Sequence, residues 1–290
     1  MIRLALLGVN TSHADAFATI FNGTPDSLAA IDEASIVAIW GDEAARVDEL
    51  MAKHQIPTRL AAPADAIGSV DGVLVVDDTG GGASHAALAR PYLEAGIPTF
   101  VDKPMTTEYA DAVELFAIAE RTGAPLLSCS ALRFAVELDA AREKLAEIGP
   151  LSSIVSVGPG DWYYYGVHAV ELLGAVAGTG AASVTRHAYA ERDVAVIPYE
   201  NGPIAVVETL RDASYVFELT AYGANGHLSF TVDDASGFYT NTMRQVVRMV
   251  ETKRSPLAAG QTLEVLGILQ AGVRSGETHT EVALADIAGA

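Results

Sequence analysis

The sequence predicts an α/β protein made of a doubly wound parallel sheet followed by an α+β domain with a mostly antiparallel sheet. Up to about Ser128, apolar strand-like runs alternate with helical segments, which is typical of a parallel sheet covered on both faces. After about Glu147, strand-like runs follow one another across short turns, as in an antiparallel sheet. The length of 290 residues accommodates two domains. We therefore expect a first domain over residues 1–128 and a second over residues 129–290.

Strand and helix signals alternate through the first domain. The predicted strands are short apolar runs: Ile2–Leu7, Ser35–Trp40, Gly72–Val76, Pro98–Val101 and Pro125–Ser128. The predicted helices have apolar residues at helical spacing and are Ala14–Phe21, Asp42–His54, Ser84–Ala95 and Thr107–Thr122. Gly96 and Gly123 end the last two helices, as glycine commonly does.

The second domain begins with strands and ends with helices. Its predicted strands are Leu151–Val157, Ala182–Tyr189, Val194–Ile197, Ile204–Leu210, Tyr215–Ala221, His227–Val232 and a short run near Glu281–Leu284. Its predicted helices are His168–Leu173, Phe238–Lys253 and Leu263–Ser275. A sheet of this size must cover its apolar face, because an open one invites aggregation. We therefore expect a homo-oligomer, either a dimer or a tetramer.

Composition and charge exclude several kinds of partner. The net charge of −19 at pH 7 repels nucleic acid phosphates and anionic membrane surfaces, so neither is an expected partner. The single cysteine, Cys129, excludes an internal disulfide and a thiolate metal cluster, and its apolar neighbours predict burial. The apolar stretch before Asn10 is too short for a signal peptide, and no apolar run could span a bilayer. We expect a cytoplasmic protein without a metal site.

The first loop is an altered form of the dinucleotide-binding turn G-x-G-x-x-G, and it reads GVNTSH over residues 8–13. Gly8 keeps the first glycine, whereas Asn10 and His13 stand where the second and third would be. Asn10 is the non-glycine residue that best tolerates a positive φ, so we expect the turn to survive. His13 is bulkier than glycine and would push the next helix outward or point at a cofactor.

Two hydroxyl residues of this loop could hold a phosphate. The N-terminus of the next helix offers free N–H groups and a positive dipole end, and Thr11 and Ser12 could donate hydroxyls there or cap the helix. The alternative is a loop that binds nothing, with Ser12 as the helix cap and His13 at the surface.

Several different short motifs follow one another along the chain in a characteristic order. Asp102-Lys103-Pro104 follows a predicted strand and is similar to an E-K-P motif. The other segments are Val70–Val76, Ser84-His85, Glu94–Pro98, Arg133-Phe134, Gly166–Glu171 and Leu263–Ala271. Together their order resembles the Gfo/Idh/MocA oxidoreductases, named for glucose–fructose oxidoreductase and inositol dehydrogenase, over nearly the whole chain. The resemblance implies an N-terminal Rossmann fold that binds NAD or NADP. It also implies a C-terminal sheet that lines the substrate site and often forms the oligomer interface.

The resemblance implies further cofactor-binding residues. Family spacing places Gly41 at the usual position of the acid that binds the ribose, and Asp42 one residue later. Asp42 could accept hydrogen bonds from ribose hydroxyls, which would favour NAD, or it could cap the next helix. Arg46 is near enough in sequence to serve the 2′-phosphate of NADP instead. Thr79 and His85 are expected to line the cofactor cleft, although His85 could simply begin a helix.

Lys103 is the first candidate catalytic residue. At the mouth of a parallel sheet, and fixed by Pro104, it is placed where nicotinamide and substrate would meet. Its ammonium could stabilise negative charge on a substrate oxygen, and partial burial would lower its pKa toward a useful range. The alternative is an exposed, ion-paired lysine.

The second candidate is His168, which matches the histidine of the family's D-x-x-x-H segment. Tyr164 stands at the aspartate position, and a tyrosine can form hydrogen bonds but is not an anion near neutral pH. Glu171 could supply the missing charge, or it could face solvent. Trp162 and the tyrosines around Tyr164 suit a wall that stacks on a sugar, or they pack the start of a helix.

These residues predict an NAD(P)-dependent oxidoreductase that acts by hydride transfer on a sugar, a polyol or a related small hydroxy compound. Lys103 would polarise the reacting oxygen, and His168 would be the general base in oxidation and the general acid in reduction. Two alternatives stay open. One is a family member whose tightly bound NAD allows elimination or hydrolysis through transient oxidation; the other is a non-catalytic binding protein on the same fold.

Overall fold

The computed structural model describes residues 1–289, which divide into two compact units. The first unit comprises Met1–Cys129 and the later segment Tyr239–Leu257. The second comprises Ser130–Phe238 and the C-terminal segment from Ala258. No sequence signal had indicated that a segment near the C-terminus returns to the first unit. The roles assigned to residues 1–128 and 129–290 stay a prediction.

Helices are distributed over both units. The α-helices are α1 (Ser12–Asn22), α2 (Ala44–His54), α3 (His85–Glu94), α4 (Tyr109–Thr122), α5 (Val136–Glu147), α6 (Gly166–Ala177), α7 (Ala235–Thr252), α8 (Ala259–Thr278) and α9 (Ala285–Ala288). Helix α5 was not predicted, because it buries only Leu138 and Ala141 and so has no broad apolar stripe. In the part of the chain that the structure describes, no helix is both long enough and apolar enough to cross a membrane.

The first unit contains a six-stranded parallel sheet. Its strands are β1 (Ile2–Leu7), β2 (Ala34–Trp40), β3 (Thr58–Arg59), β4 (Gly72–Val75), β5 (Thr99–Val101) and β6 (Leu126–Ser128). They pair in the order β3-β2-β1-β4-β5-β6, all in one direction. The direction of the strand order changes between β1 and β4, and in such sheets ligands bind beyond the carboxyl ends at that point. The predicted doubly wound sheet is confirmed.

The second unit contains a seven-stranded sheet. Its strands are β7 (Leu151–Pro159), β8 (Ser183–Ala188), β9 (Arg192–Pro198), β10 (Ile204–Leu210), β11 (Glu218–Gly223), β12 (Gly226–Thr231) and β13 (Val282–Ala283). All neighbours pair antiparallel except β7 and β10, so the sheet is mostly antiparallel, as predicted. The predicted strand Tyr215–Ala221 is displaced, since Tyr215 precedes β11 and is largely exposed.

Candidate functional site

The first loop approaches the end of β4 closely. Gly8 has φ +103, a conformation that side chains rarely adopt, and a Cβ atom there would lie 2.3 Å from the backbone nitrogen of Asp77. Gly8 is therefore required both by its own backbone conformation and by the packing of two loops. The predicted tight turn at this glycine is present.

Asn10 maintains the loop in a different way from the one predicted. It is not among the residues with positive φ, so the expectation of a left-handed Asn10 is wrong. Its side-chain oxygen instead accepts the N–H of Asp78 at 2.8 Å, and its amide nitrogen donates to Thr79 Oγ1 at 3.3 Å. Asn10 thus ties the loop after β1 to the loop after β4.

The helix cap is also shifted by one residue. Thr11 is the N-cap of α1, and its hydroxyl accepts the N–H of His13 at 3.2 Å. The alternative of Ser12 as the cap is wrong, because Ser12 is the exposed first residue of the helix. An exposed hydroxyl beside a helix N-terminus suits an anionic group such as a pyrophosphate.

His13 lies inside the unit and not at its surface. Only 8% of the residue is exposed, and the ring stacks on Phe17 with a centroid distance of 5.4 Å. Nδ1 lies 2.6 Å from Asp102 Oδ2, and Nε2 lies 2.9 Å from the hydroxyl of Tyr239. The surface alternative for His13 is therefore wrong. Its ring is directed at the end of β5.

Asp102 and Lys103 follow β5 directly and are both buried, each 7% exposed. The alternative of an exposed Lys103 is therefore wrong. Burial of the Asp102 carboxyl raises its pKa, but the charge and hydrogen bond of His13 oppose burial, and so do the charges of Lys103 and His85. The net result lowers the pKa of Asp102 to about 2. Asp102 is an anion at neutral pH.

His85 is the first residue of α3 and is 2% exposed. Its Nδ1 lies 2.9 Å from the carbonyl oxygen of Pro104, so Nδ1 carries the proton that this bond needs. Nε2 is buried without a hydrogen-bond partner among residues 1–289. Gly82 allows this approach, since a Cβ atom there would lie 2.8 Å from the Pro104 oxygen.

The glycine-rich loop that carries Thr79 is closed by Asp77. Asp77 Oδ1 accepts the Ser84 hydroxyl at 2.6 Å and the N–H of Thr79 at 3.1 Å. Thr79 itself is exposed. The loop is thus held at both ends, with its exposed tip at the carboxyl edge of the sheet.

The end of β2 explains the position of the candidate ribose acid. A Cβ atom on Gly41 would lie 2.5 Å from a methyl carbon of Val9, so no side chain fits at the usual acid position. Asp42, one residue on, is exposed. The N-cap of α2 is Glu43 and it makes no side-chain cap bond, so the alternative of Asp42 as the cap is wrong. Arg46 is ion-paired with Glu49 at 2.6 Å.

These hydrogen-bonding groups fit a dinucleotide. The N-terminus of α1 with Ser12 suits a pyrophosphate, and the exposed carboxylate of Asp42 suits ribose hydroxyls. The loops after β1, β4 and β5 are joined by side-chain bonds, so the edge is organised before any ligand binds. Residues 8–13 contain no lysine or arginine, so neither contributes to this part of the site.

In the second unit, His168 is held by a serine that the sequence analysis did not single out. Its Nδ1 lies 2.6 Å from Ser130 Oγ, and the same hydroxyl accepts the N–H of Leu132 at 3.2 Å. Ser130 begins a short 3₁₀ turn just after the β6 segment. A serine next to an apolar run carries no motif, so only the fold reveals this pairing. The role of Tyr164 as partner of His168 stays a prediction.

Glu171 is 2% exposed, so the alternative of a solvent-facing Glu171 is wrong. It forms an ion pair with Arg133 at 2.5 Å and accepts the N–H of Ser130 at 3.2 Å. Burial raises the pKa of Glu171, and Arg133 offsets this only in part. Glu171 therefore supports Ser130 and, through it, His168.

Aromatic rings surround His168. Phe217 lies 5.3 Å and Tyr165 6.1 Å from its ring centroid, and Tyr215, 70% exposed, extends the cluster. Trp162 is not part of a sugar-stacking wall, because it is buried and donates its indole N–H to the Leu269 carbonyl at 2.8 Å. The partly exposed tyrosines, by contrast, can offer an apolar surface to a ring.

The strand order and the loop after β1 define a nucleotide-binding Rossmann protein. The sequence model described as "Oxidoreductase family, NAD-binding Rossmann fold" (GFO_IDH_MocA) matches residues 2–129. This match covers less than half of the chain, and it shows that residues 2–129 are similar to the Gfo/Idh/MocA oxidoreductases. This match confirms the predicted resemblance and the NAD-binding Rossmann fold for these residues.

One curated relative matches part of the chain. It is an oxidoreductase subunit from Amycolatopsis mediterranei (strain S699) whose name assigns it to UDP-kanosamine synthase, 32% identical over 99 residues. The match covers 34% of this chain and only 26% of that relative.

Solved structures resemble the whole chain. Scyllo-inositol dehydrogenase from Lactobacillus casei, solved with NAD(H) and scyllo-inositol, has a TM-score of 0.85 at 15% identity, over 98% of this chain and 99% of that chain. Myo-inositol 2-dehydrogenase from Lactobacillus plantarum has a TM-score of 0.84 at 14% identity, over 97% and 99%. At these identities the likeness shows the fold.

Proposed function

We propose that the chain is an NAD-dependent dehydrogenase that oxidises a secondary hydroxyl of a sugar or cyclic polyol and catalyses the reverse reduction. The observation that carries the proposal is the buried Lys103 at the carboxyl end of β5, beside the loops that suit a dinucleotide. The inositol dehydrogenases of the same fold act on cyclic polyols by their names, which supports this substrate class.

We assign the chemical roles in the reaction to two side chains, Lys103 and His168. Lys103 stabilises the negative charge that develops on the substrate oxygen, and with Asp102 anionic beside it the pair carries little net charge. With Nδ1 held by Ser130, we assign proton exchange with the substrate to Nε2 of His168. The nicotinamide, when bound, supplies the hydride acceptor or donor. Ser12 and the N-terminus of α1 would hold its pyrophosphate, and Asp42 its ribose.

The proposal is tested with purified protein, NAD(H) and a panel of inositols, pyranoses and linear polyols. Lys103→Met and His168→Asn should each reduce turnover by about two to four decades and change the affinity for NAD little. Lys144→Met is the matched control, because Lys144 is exposed and forms an ion pair with Glu147 at the surface. Unchanged turnover in both active-site variants would overturn the assignment. Retained NAD with no net NADH, but loss of a leaving group from the substrate, would favour elimination or hydrolysis instead.

The cofactor preference follows from the end of β2. An exposed Asp42 repels a 2′-phosphate, and the ion pair with Glu49 engages Arg46, so we expect NAD to bind at least tenfold more tightly than NADP. Asp42→Ala should weaken NAD binding and reduce the difference in affinity between NAD and NADP. Calorimetric titration of the reduced and oxidised forms of both nucleotides measures this. Absence of binding for all four would refute the cofactor assignment itself.

A further inference from the structure

The short turn that carries Lys103 is held on both sides by histidines from two other loops. Before Lys103, the carboxylate of Asp102 is bound by Nδ1 of His13 at 2.6 Å. After Lys103, the carbonyl of Pro104 is bound by Nδ1 of His85 at 2.9 Å. One histidine comes from the first turn of α1 and the other from the first turn of α3.

Both histidines are buried, at 8% and 2% exposure, so their rings have few alternative orientations. His13 is fixed further by stacking on Phe17 and by the Tyr239 hydroxyl at Nε2. His85 is fixed by the close approach that Gly82 permits. Losing a hydrogen bond to a buried polar group is costly, and it is more costly when one of the two groups is charged. The turn is therefore held more firmly than its backbone alone would allow.

We propose that His13 and His85 are positioning residues that hold the Asp102-Lys103-Pro104 turn and so aim the Lys103 ammonium. The inference rests on the proposed function of Lys103. It gives His13 a role that glycine cannot fill at the third position of the loop. The loop thus lacks the third glycine of G-x-G-x-x-G, and in its place His13 provides a hydrogen-bond partner for Asp102, the residue next to Lys103.

The charges around Asp102 are consistent with this role. It faces His13 from α1, Lys103 from its own turn and His85 from α3, and the Tyr239 hydroxyl on α7 is hydrogen-bonded to the same His13 ring. Without the His13 bond the carboxylate would lose the largest interaction that favours its charged form, and Lys103 would become the strongest charge beside it. We expect the ammonium then to be drawn toward Asp102 and away from the substrate oxygen.

Side-chain shape provides matched variants. The amide nitrogen of asparagine falls near the Nδ1 position of histidine, and that of glutamine near Nε2. His13→Asn and His85→Asn should therefore keep the bonds to the turn, whereas His13→Gln and His85→Gln should lose them. We expect each Gln variant to reduce kcat on the order of 10²-fold, the effect of misplacing a group by about 1 Å, with the Kd of NAD changed less than about threefold. Each Asn variant should stay within about fivefold of the starting kcat.

A second measurement does not depend on activity. The chain contains only four lysines, Lys53, Lys103, Lys144 and Lys253. Selective ¹³C labelling makes the Cε resonance of Lys103 resolvable, and Lys103→Arg assigns it. The Gln variants should shift this resonance and its titration midpoint, while the Asn variants should leave both near those of the unsubstituted protein.

The two readouts separate the possible failures. A shifted Lys103 resonance in the Gln variants without any detectable dehydrogenase activity would support the positioning role of His13 and His85 and refute the proposed function. The positioning role would be overturned if the Gln and Asn variants behave alike. It would also be overturned if the Lys103 resonance is unchanged in the Gln variants. If His13→Gln does not fold, His85→Gln and Asp102→Asn give the same readouts and decide the question.

Discussion

Two buried carboxylates show how partners decide the proton state of a residue. Asp102 has His13, Lys103 and His85 around it, and these outweigh burial, so its pKa falls to about 2. Glu171 has Arg133 and one backbone N–H, and burial prevails, so its pKa rises. The first carboxylate therefore stabilises the fold as an anion, whereas burial of the second opposes its charged form and Arg133 offsets this only in part.

The pH dependence of the free energy of unfolding should show the contribution of the ionised Asp102 carboxylate. Its pKa is lower in the folded than in the unfolded chain, so its contribution is full above about pH 4 and is lost as the pH falls toward 2. We expect Asp102→Asn to lower the free energy of unfolding by about 2 kcal/mol at neutral pH, with the difference shrinking below about pH 4. Urea denaturation at several pH values measures it, with the exposed Asp212→Asn as control. A pH-independent difference would contradict the assignment.

The partner of His168 is the second prediction at this scale. We expect Ser130→Ala to reduce kcat by about one to two decades and to move the pH profile, because the Nδ1 bond at 2.6 Å orients the ring. Ser130→Thr keeps the hydroxyl and is the conservative control. If Tyr164→Phe has the larger effect and Ser130→Ala has none, the tyrosine takes the place of the missing aspartate.

At the scale of elements, the approach of two loops decides which glycines matter. Gly8→Ala would combine a positive φ with a Cβ atom 2.3 Å from the Asp77 backbone, and the backbone cannot yield cheaply. We expect a loss of at least about 3 kcal/mol in unfolding free energy. Gly96→Ala is the matched control, because its φ is +75 but nothing lies within 4 Å, and about 1 kcal/mol is expected. Chemical denaturation compares the two; equal losses would mean that the loop contact is unimportant.

At the scale of the whole molecule, one face of the seven-stranded sheet carries a row of valines. Val155, Val206 and Val196 lie in register on β7, β10 and β9, and Val196 is 37% exposed. Ile204 on the same face of β10 is 56% exposed. The opposite face is covered, for example where the Ser156 hydroxyl binds the Ala169 carbonyl of α6. This asymmetry supports the predicted homo-oligomer.

Light scattering tests that prediction. The chain should form a dimer or tetramer at micromolar concentration, and Val206→Glu should dissociate it by placing a charge in the centre of the row. Val206→Thr keeps the shape and is the control. A species of 30.3 kDa, the mass of one chain, for the unsubstituted protein would contradict the oligomer.

The sequence by itself determined the two sheets and their order along the chain. Apolar runs and helical spacing are local properties, so β1, β4 and β10 could be placed closely from the residues alone. It also indicated that Lys103 and His168 lie in segments that resemble motifs of an oxidoreductase family, and their roles stay predictions. Boundaries set by side-chain contacts were less predictable, as the start of α2 and the unrecognised α5 show.

Only the tertiary structure decided which side chains meet. Ser130 and His168 are 38 positions apart, His13 and Asp102 are 89, and His13 and Tyr239 are 226. Such pairs leave no periodic trace in the sequence, because the chain folding between them brings them together. From the sequence alone, His13 at a glycine position indicates only an altered motif. The fold shows that it lies beside Asp102. The local sequence pattern determines where the strands of the two sheets lie along the chain. The packing of the loops determines which side chains meet at the carboxyl edge of the first sheet.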